Sequence, residues 1–142
     1  MLTITKKLLL MYIEWTQDLS VGNDQLDKEH QRWIEILNDF YVGLKEGKSS
    51  EKLQELILAM LDYTKYHFAS EEAYMKQIHY PKLEQHKKLH REYVEKIESF
   101  HEKMKAGRLL LTLEVTNFLK TWLINHIKGV DHGYMRFNLN QD

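Results

Sequence analysis

Two pairs of side chains stand four residues apart and carry donor atoms suited to a metal ion: His67 and Glu71 in His67-Phe68-Ala69-Ser70-Glu71, and His86 and His90 in an HxxxH. On a helix, an i,i+4 pair places both side chains on one face about one turn apart. His30 and His126 stand singly, and Asp131 follows His126 by five residues. Imidazole nitrogen and carboxylate oxygen are ordinary ligands of first-row metals. Each piece is weak on its own, because one histidine on an apolar stripe is most often a hydrogen-bonded core residue. Together they weigh differently. Five imidazoles and a carboxylate on inward faces would cost several kcal/mol if unpartnered, and neutral imidazoles cannot easily satisfy one another. A metal satisfies them at once.

The elements that must position these groups follow from apolar spacing. Leu26, His30, Trp33, Leu37, Phe40 and Leu44 step by threes and fours. The second stripe runs Leu53, Ile57, Met60, Thr64, His67, Glu71, Tyr74 and Ile78; the third runs Leu83, His86, His90, Tyr93, Ile97, Phe100 and Met104. The fourth is Val115, Leu119, Trp122 and His126. This is the period of amphipathic helices, with histidine filling core positions in all four. Glycine and proline separate them: Gly22 before the first, Gly43 and Gly47 after it, Pro81 between second and third, Gly107 after the third, Gly129 and Gly133 at the end of the fourth. Asp24, Ser50 and Thr112 suit N-caps, and Pro81 suits the first turn of a helix. Short connections make neighbouring helices antiparallel. The spacing predicts an all-α protein: an antiparallel up-down-up-down four-helix bundle over 23–142, preceded by an N-terminal arm over 1–22.

Asp131 does not fit a straight helix. Five residues beyond His126, it lies about 140° round the axis, facing solvent. A π-type irregularity or a helix end near Gly129 would turn it inward.

Composition removes other classes. The 142 residues hold 20 Lys+Arg against 21 Asp+Glu, a formal net charge of −1, which argues against nucleic acid or an acidic membrane surface as a partner. With no cysteine, disulfides, thiolate metal sites and a catalytic thiol are excluded. No apolar run approaches the ~18 residues of a membrane span. Leu8 to Ile13 is short and runs into Glu14 and Trp15 without a cleavage-type sequence, so a signal peptide is not expected. The expected location is the cytoplasm.

The ordered set of His30, HxxxE at His67 and Glu71, HxxxH at His86 and His90, and HxxxxD at His126 and Asp131 resembles the hemerythrin signature, bacterial hemerythrins in particular, from Trp15 to about Tyr134. The resemblance makes Asp131 a ligand. It implies two non-haem iron ions with an oxo or hydroxo bridge: His86, His90 and His126 on one iron, His30 and His67 on the other, Glu71 and Asp131 bridging. Three imidazoles against two leave the second iron with one open place, where dioxygen would bind reversibly for storage, delivery or sequestration. Phe68, Trp122, Leu123 and Ile127 resemble the family's apolar oxygen pocket, with Trp33 contributing from the first helix. Tyr134 matches a family aromatic able to donate a hydrogen bond near the centre. His79, His101 and His132 are left to the surface or to ordinary hydrogen bonding. The resemblance assigns no role to the residues before Trp15 and no protein partner.

Four other readings compete with oxygen binding. A ferritin-like di-iron enzyme wants Glu-x-x-His on each of two helices, and this chain has one such match, Glu98 to His101. An oxygen or redox sensor would have to act through a partner, and an activity towards peroxide, nitric oxide or ferrous iron is a further alternative. A bis-histidine haem bundle would leave Glu71 and Asp131 unexplained. The expectation is a binding protein rather than an enzyme.

Overall fold

The computed structural model describes residues 13–107 and 113–140, and over these the apolar stripes do form helices: α1 (Asp24–Lys45), α2 (Ser50–Gln77), α3 (Leu83–Lys105) and α4 (Leu113–Asn125). A π-helical segment, His126–Asp131, continues α4 directly into α5 (His132–Leu139). The backbone stays in the right-handed helical region at Asn125, Asp131 and His132, so these three pieces form one rod. The result is an all-α four-helix bundle, with α4 to α5 as its fourth member. No described helix is long and apolar enough to cross a membrane.

The helix ends differ from expectation by one residue. Asn23 and Ser49 are the N-caps, not Asp24 and Ser50. Each is extended, and each side chain accepts the backbone N–H three residues on, from Leu26 and Lys52. A cap must stand outside helical geometry, and Asp24 and Ser50 are already inside it. Thr112 lies outside the described residues. Pro81 sits in the turn before α3 rather than in its first turn; Lys82 precedes the helix without a side-chain cap.

Glycine is also a poorer punctuator than expected. Gly47 and Gly107 end α1 and α3 with positive φ, which suits a residue without Cβ. Gly43 instead lies within α1, where a Cβ would stand 3.0 Å from Leu56. Gly129 and Gly133 do not end the fourth helix, which continues to Leu139. At Gly133 a Cβ would meet the Tyr80 hydroxyl at 2.5 Å, so this glycine allows the α2–α3 turn to close against the rod.

The core follows the predicted stripes closely. Trp33, Leu37, Phe40, Ile57, Met60, Tyr93, Ile97 and Leu119 are all buried. Late in α2 the buried face drifts: Met75 is fully buried, while Tyr74 and Ile78 are half-buried. Residues 1–12 of the expected arm lie outside the described residues. Beyond them Ile13, Leu19 and Val21 enter the core, and the chain is fastened to α1. Asn38 accepts the Ile13 N–H at 2.9 Å and donates to its carbonyl at 2.8 Å, while Asp27 accepts the Val21 N–H at 2.8 Å.

Candidate metal centre

Each of the four helical rods brings a part of the site. α1 supplies His30, α2 His67 and Glu71, α3 His86 and His90, and the fourth rod His126 and Asp131. The i,i+4 pairs of α2 and α3 face inward as their phase requires. Asp131 turns inward through the π segment. A π turn closes on the fifth residue rather than the fourth, so the five-residue step from His126 becomes one turn. All seven side chains are at most 3% exposed.

Their donor atoms fall into two groups, one of His86, His90, His126, Glu71 and Asp131, the other of His30, His67 and Glu71. Glu71 belongs to both groups, and Asp131 in the first also reaches toward His30 of the second. Glu71 Oε2 lies 3.3 Å from Nε2 of both His30 and His67. Its Oε1 lies 2.9 Å from His90 Nε2 and 3.2 Å from His86 Nε2. Asp131 repeats this: Oδ2 is 3.2 Å from His30 Nε2, and Oδ1 is 3.0 and 3.1 Å from Nε2 of His86 and His126. Despite these approaches, His67 Nε2 and both Asp131 oxygens make no aligned hydrogen bond. Buried polar atoms without partners are costly. The Nε2 atoms of His86 and His126 are 2.9 Å apart, the spacing of neighbouring imidazoles sharing a metal about 2.1 Å from each. Crowded, unaligned nitrogen and oxygen donors fit cations better than they fit one another.

Around these groups stands a second layer that sequence reasoning largely missed. Glu29 Oε1 accepts His67 Nδ1–H at 2.8 Å, and Glu72 Oε2 accepts His90 Nδ1–H at 2.7 Å. Glu29 is itself braced by Gln25 at 3.1 Å and Ser70 at 2.9 Å. Tyr134, which the sequence did suggest, is fully buried and donates to Glu71 Oε2 at 3.1 Å. Glu29 and Glu72 adjoin His30 and Glu71 in the chain but serve histidines on other turns or helices, so spacing gives no signal for them. His79 is exposed, in the turn after α2; His101 is half-buried beside Glu102. His132 is also half-buried, with a buried Nε2 that lacks a hydrogen bond.

Residues 21–137 match the model of the hemerythrin HHE cation binding domain. The chain belongs to the hemerythrin family. It is 34% identical over 130 residues to the bacteriohemerythrin of Stenotrophomonas maltophilia, covering 89% of this chain and 84% of that one. It is 30% identical to the myohemerythrin of Theromyzon tessulatum, covering 85% of this chain and 89% of the relative. The crystal structure of a wild-type hemerythrin superposes with a TM-score of 0.83 at 26% identity, over 88% of this chain and 96% of that one.

In this hemerythrin the cluster of imidazoles and carboxylates is a proton trap. Burial opposes charging His30, but Asp131 and Glu71 outweigh it and raise the imidazole to about 10. His86 rises to about 9 against the same opposition, through the same two carboxylates. Burial would raise Glu71, yet His67 and the other imidazoles hold it well below the usual carboxylate range. Asp131 is lowered as well, with burial and Glu71 opposing and His126 and His30 prevailing. Metal entry must therefore displace protons.

On one side the imidazoles rest on an aromatic wall. Phe68 stacks on His90 with ring centres 3.7 Å apart, and Trp122 stacks on His126 at 4.3 Å. Trp33 lies 5.3 Å from His67 and 5.5 Å from Phe68, and Tyr93 stacks on Trp122 at 3.9 Å. Leu123 and Ile127 are fully buried on the fourth rod. Tyr93 was read only as a core residue; its hydroxyl donates to Leu119 O at 3.3 Å.

Proposed function

We propose that this hemerythrin binds dioxygen reversibly at a non-haem di-iron centre. The observation that carries the reading is the division of Glu71 and Asp131, each with one oxygen toward the His30 side and the other toward the His86 side. On this reading His86, His90 and His126 would hold one iron and His30 and His67 the other, Glu71 and Asp131 would be shared between them, and an oxo or hydroxo group from solvent would complete the centre. Iron held there would supply the reversible electron donation that dioxygen binding requires.

The protein's own residues do the rest. With three imidazoles against two, the His30 and His67 side would be one protein ligand short and would be the place for dioxygen. Glu29 orients His67 and makes it a better donor; Glu72 does the same for His90. Tyr134 steadies Glu71 on the oxygen that faces His30 and His67. Phe68, Trp122, Leu123 and Ile127, joined by Trp33 and Tyr93, form an apolar wall beside the site. Tyr93, the phenol in this wall, directs its proton to a backbone carbonyl, and burial raises it against ionisation. A pocket without an available acid favours release of intact dioxygen over its protonation, and so binding over catalysis.

The test is an oxygenation cycle on purified protein with its iron counted. About two irons per chain and a visible charge-transfer band that appears in air and disappears on deoxygenation support the reading. One iron per chain, or irreversible bleaching with peroxide release, contradicts it.

A further inference from the structure

All seven ligand side chains are at most 3% exposed, so the centre offers a reductant in solution almost no direct contact. Trp122 is different. It is half-buried, and its indole lies face to face on His126, with ring centres 4.3 Å apart and planes within 10°. It also stacks on Tyr93 at 3.9 Å. Further in, Trp33 has its ring centre 6.3 Å from that of Trp122 and 5.3 Å from that of His67. The two indoles thus lead from a partly exposed position to both groups of donors, through His126 on one side and His67 on the other. Electron transfer through protein slows steeply with distance, and rings in contact shorten the gaps it must cross.

Trp122 also lines a cavity of about 510 Å³, a size within the range of small-molecule sites. Leu89, Phe118 and Val130 give it apolar walls, and Thr121 and Asn125 add a hydroxyl and an amide. No carboxylate, lysine or arginine is among the described residues that line it. Two other cavities that reach a ligand imidazole are charged. The one beside His90 carries Lys65, Glu72, Arg91, Glu95 and Glu98, and the one beside His86 carries Lys82 and Arg136. An ion would lose hydration in the Trp122 cavity without gaining a partner. A flat neutral ring with hydroxyl groups would stack on the aromatic wall and use the hydroxyl and the amide.

We infer that Trp122 is the electron port of the centre and that its cavity admits an uncharged hydroquinone as reductant. The inference rests on the di-iron reading. Dioxygen that takes two electrons and two protons and leaves as hydrogen peroxide leaves both irons ferric, and oxygen binding then stops until two electrons return from outside. A hydroquinone supplies both. It passes two electrons through Trp122, making both irons ferrous, releases its two hydroxyl protons to solvent and departs as the quinone.

The probes are naphthoquinone for binding and naphthohydroquinone for electron transfer, used without air on iron-loaded, ferric protein with iron counted. Calorimetry with naphthoquinone should show one saturable site per chain, and the rate of loss of the ferric charge-transfer band should saturate with naphthohydroquinone. Thr121→Glu, at an exposed position, puts a carboxylate in the cavity; it should weaken naphthoquinone binding and raise the half-saturating naphthohydroquinone concentration about tenfold, with the limiting rate kept. Trp122→Leu removes the ring stacked on His126 and should lower the limiting rate about tenfold, with Trp122→Phe, which keeps a ring, falling between. Absence of saturable binding with two irons present overturns the inference and leaves the di-iron reading intact. Equal binding by parent and Thr121→Glu overturns the cavity as the site, and an unchanged or faster limiting rate in the Trp122 variants overturns the port. Failure of the parent protein to load about two irons would instead count against the di-iron reading itself.

Discussion

The two sides of the centre are built by different means. The His30 and His67 side draws on α1 and α2, and Glu29 locks it: this carboxylate is 6% exposed and accepts from His67, Gln25 and Ser70. The three-imidazole side draws on α3 and the fourth rod. Its outer carboxylate, Glu72, is 27% exposed on its side chain; His86 here, like His30 on the other side, has no partner at Nδ1. The side with fewer imidazoles thus has the more buried and better braced outer carboxylate. A group short of one donor needs its remaining ones held in place, whereas three imidazoles and two carboxylate oxygens constrain one another.

Removing what the two sides share should have the largest effect. Glu71→Ala takes one oxygen from each group, so iron content should fall from about two per chain to below one. Elemental analysis checks this, and unchanged iron would mean that Glu71 does not bridge.

Next come the braces. Glu29→Gln should leave the fold intact but weaken iron on the His30 and His67 side about 10–100-fold, the usual cost of losing an outer-shell partner. Glu72→Gln should cost less, because its carboxylate is partly solvated. Biphasic iron release to a chelator, with the fast phase accelerated mainly by Glu29→Gln, would confirm the asymmetry. Equal acceleration by both variants would erase it.

The metal-free protein offers a pH test. His30 and His86 have folded values of about 10 and about 9 against an ordinary 6.5, so their stabilising contribution is complete below about 6.5 and lost as pH rises through 9 to 10. Glu71 and Asp131 are lowered, so theirs is present above their ordinary 4.5 and 3.8 and lost as pH falls below them. Thermal unfolding of the metal-free protein should therefore peak near pH 5–6.5 and decline on both sides. Iron affinity should instead rise with pH, because the protons it displaces become easier to remove. A metal-free melting temperature that climbs between pH 7 and 10 would contradict the proton trap.

The smallest effect is expected away from both sides. His79 has φ of +58°, in the left-handed region, and is exposed. His79→Gly relieves that strain at some entropic cost, so stability should rise by no more than about 1 kcal/mol. Iron content should not change, which would separate this histidine from the five at the centre.

Much of this was legible in the chain. The i,i+4 pairs at His67 and His90 and the stripes through Trp33, Ile57 and Ile97 depend only on helical period, which local spacing carries. Asp131 marked the limit. Its five-residue step from His126 was compatible with surface or site, and its inward orientation needed the π segment. Gly43 and Gly133 misled because close neighbours, Leu56 and Tyr80, and not a turn in their own backbone, set their place, and Gly129 misled because it lies inside the π segment.

The order of residues along the chain determined an all-α bundle with histidine and carboxylate on inward faces, because amphipathic periodicity and turn chemistry are local properties. Only the tertiary structure decided how Glu71 and Asp131 divide their oxygens, and that Glu29 and Glu72 back His67 and His90. These depend on the rotation of one helix against another and on individual rotamers. A few tenths of an ångström across an interface set them, and no pattern within a single helix encodes that distance.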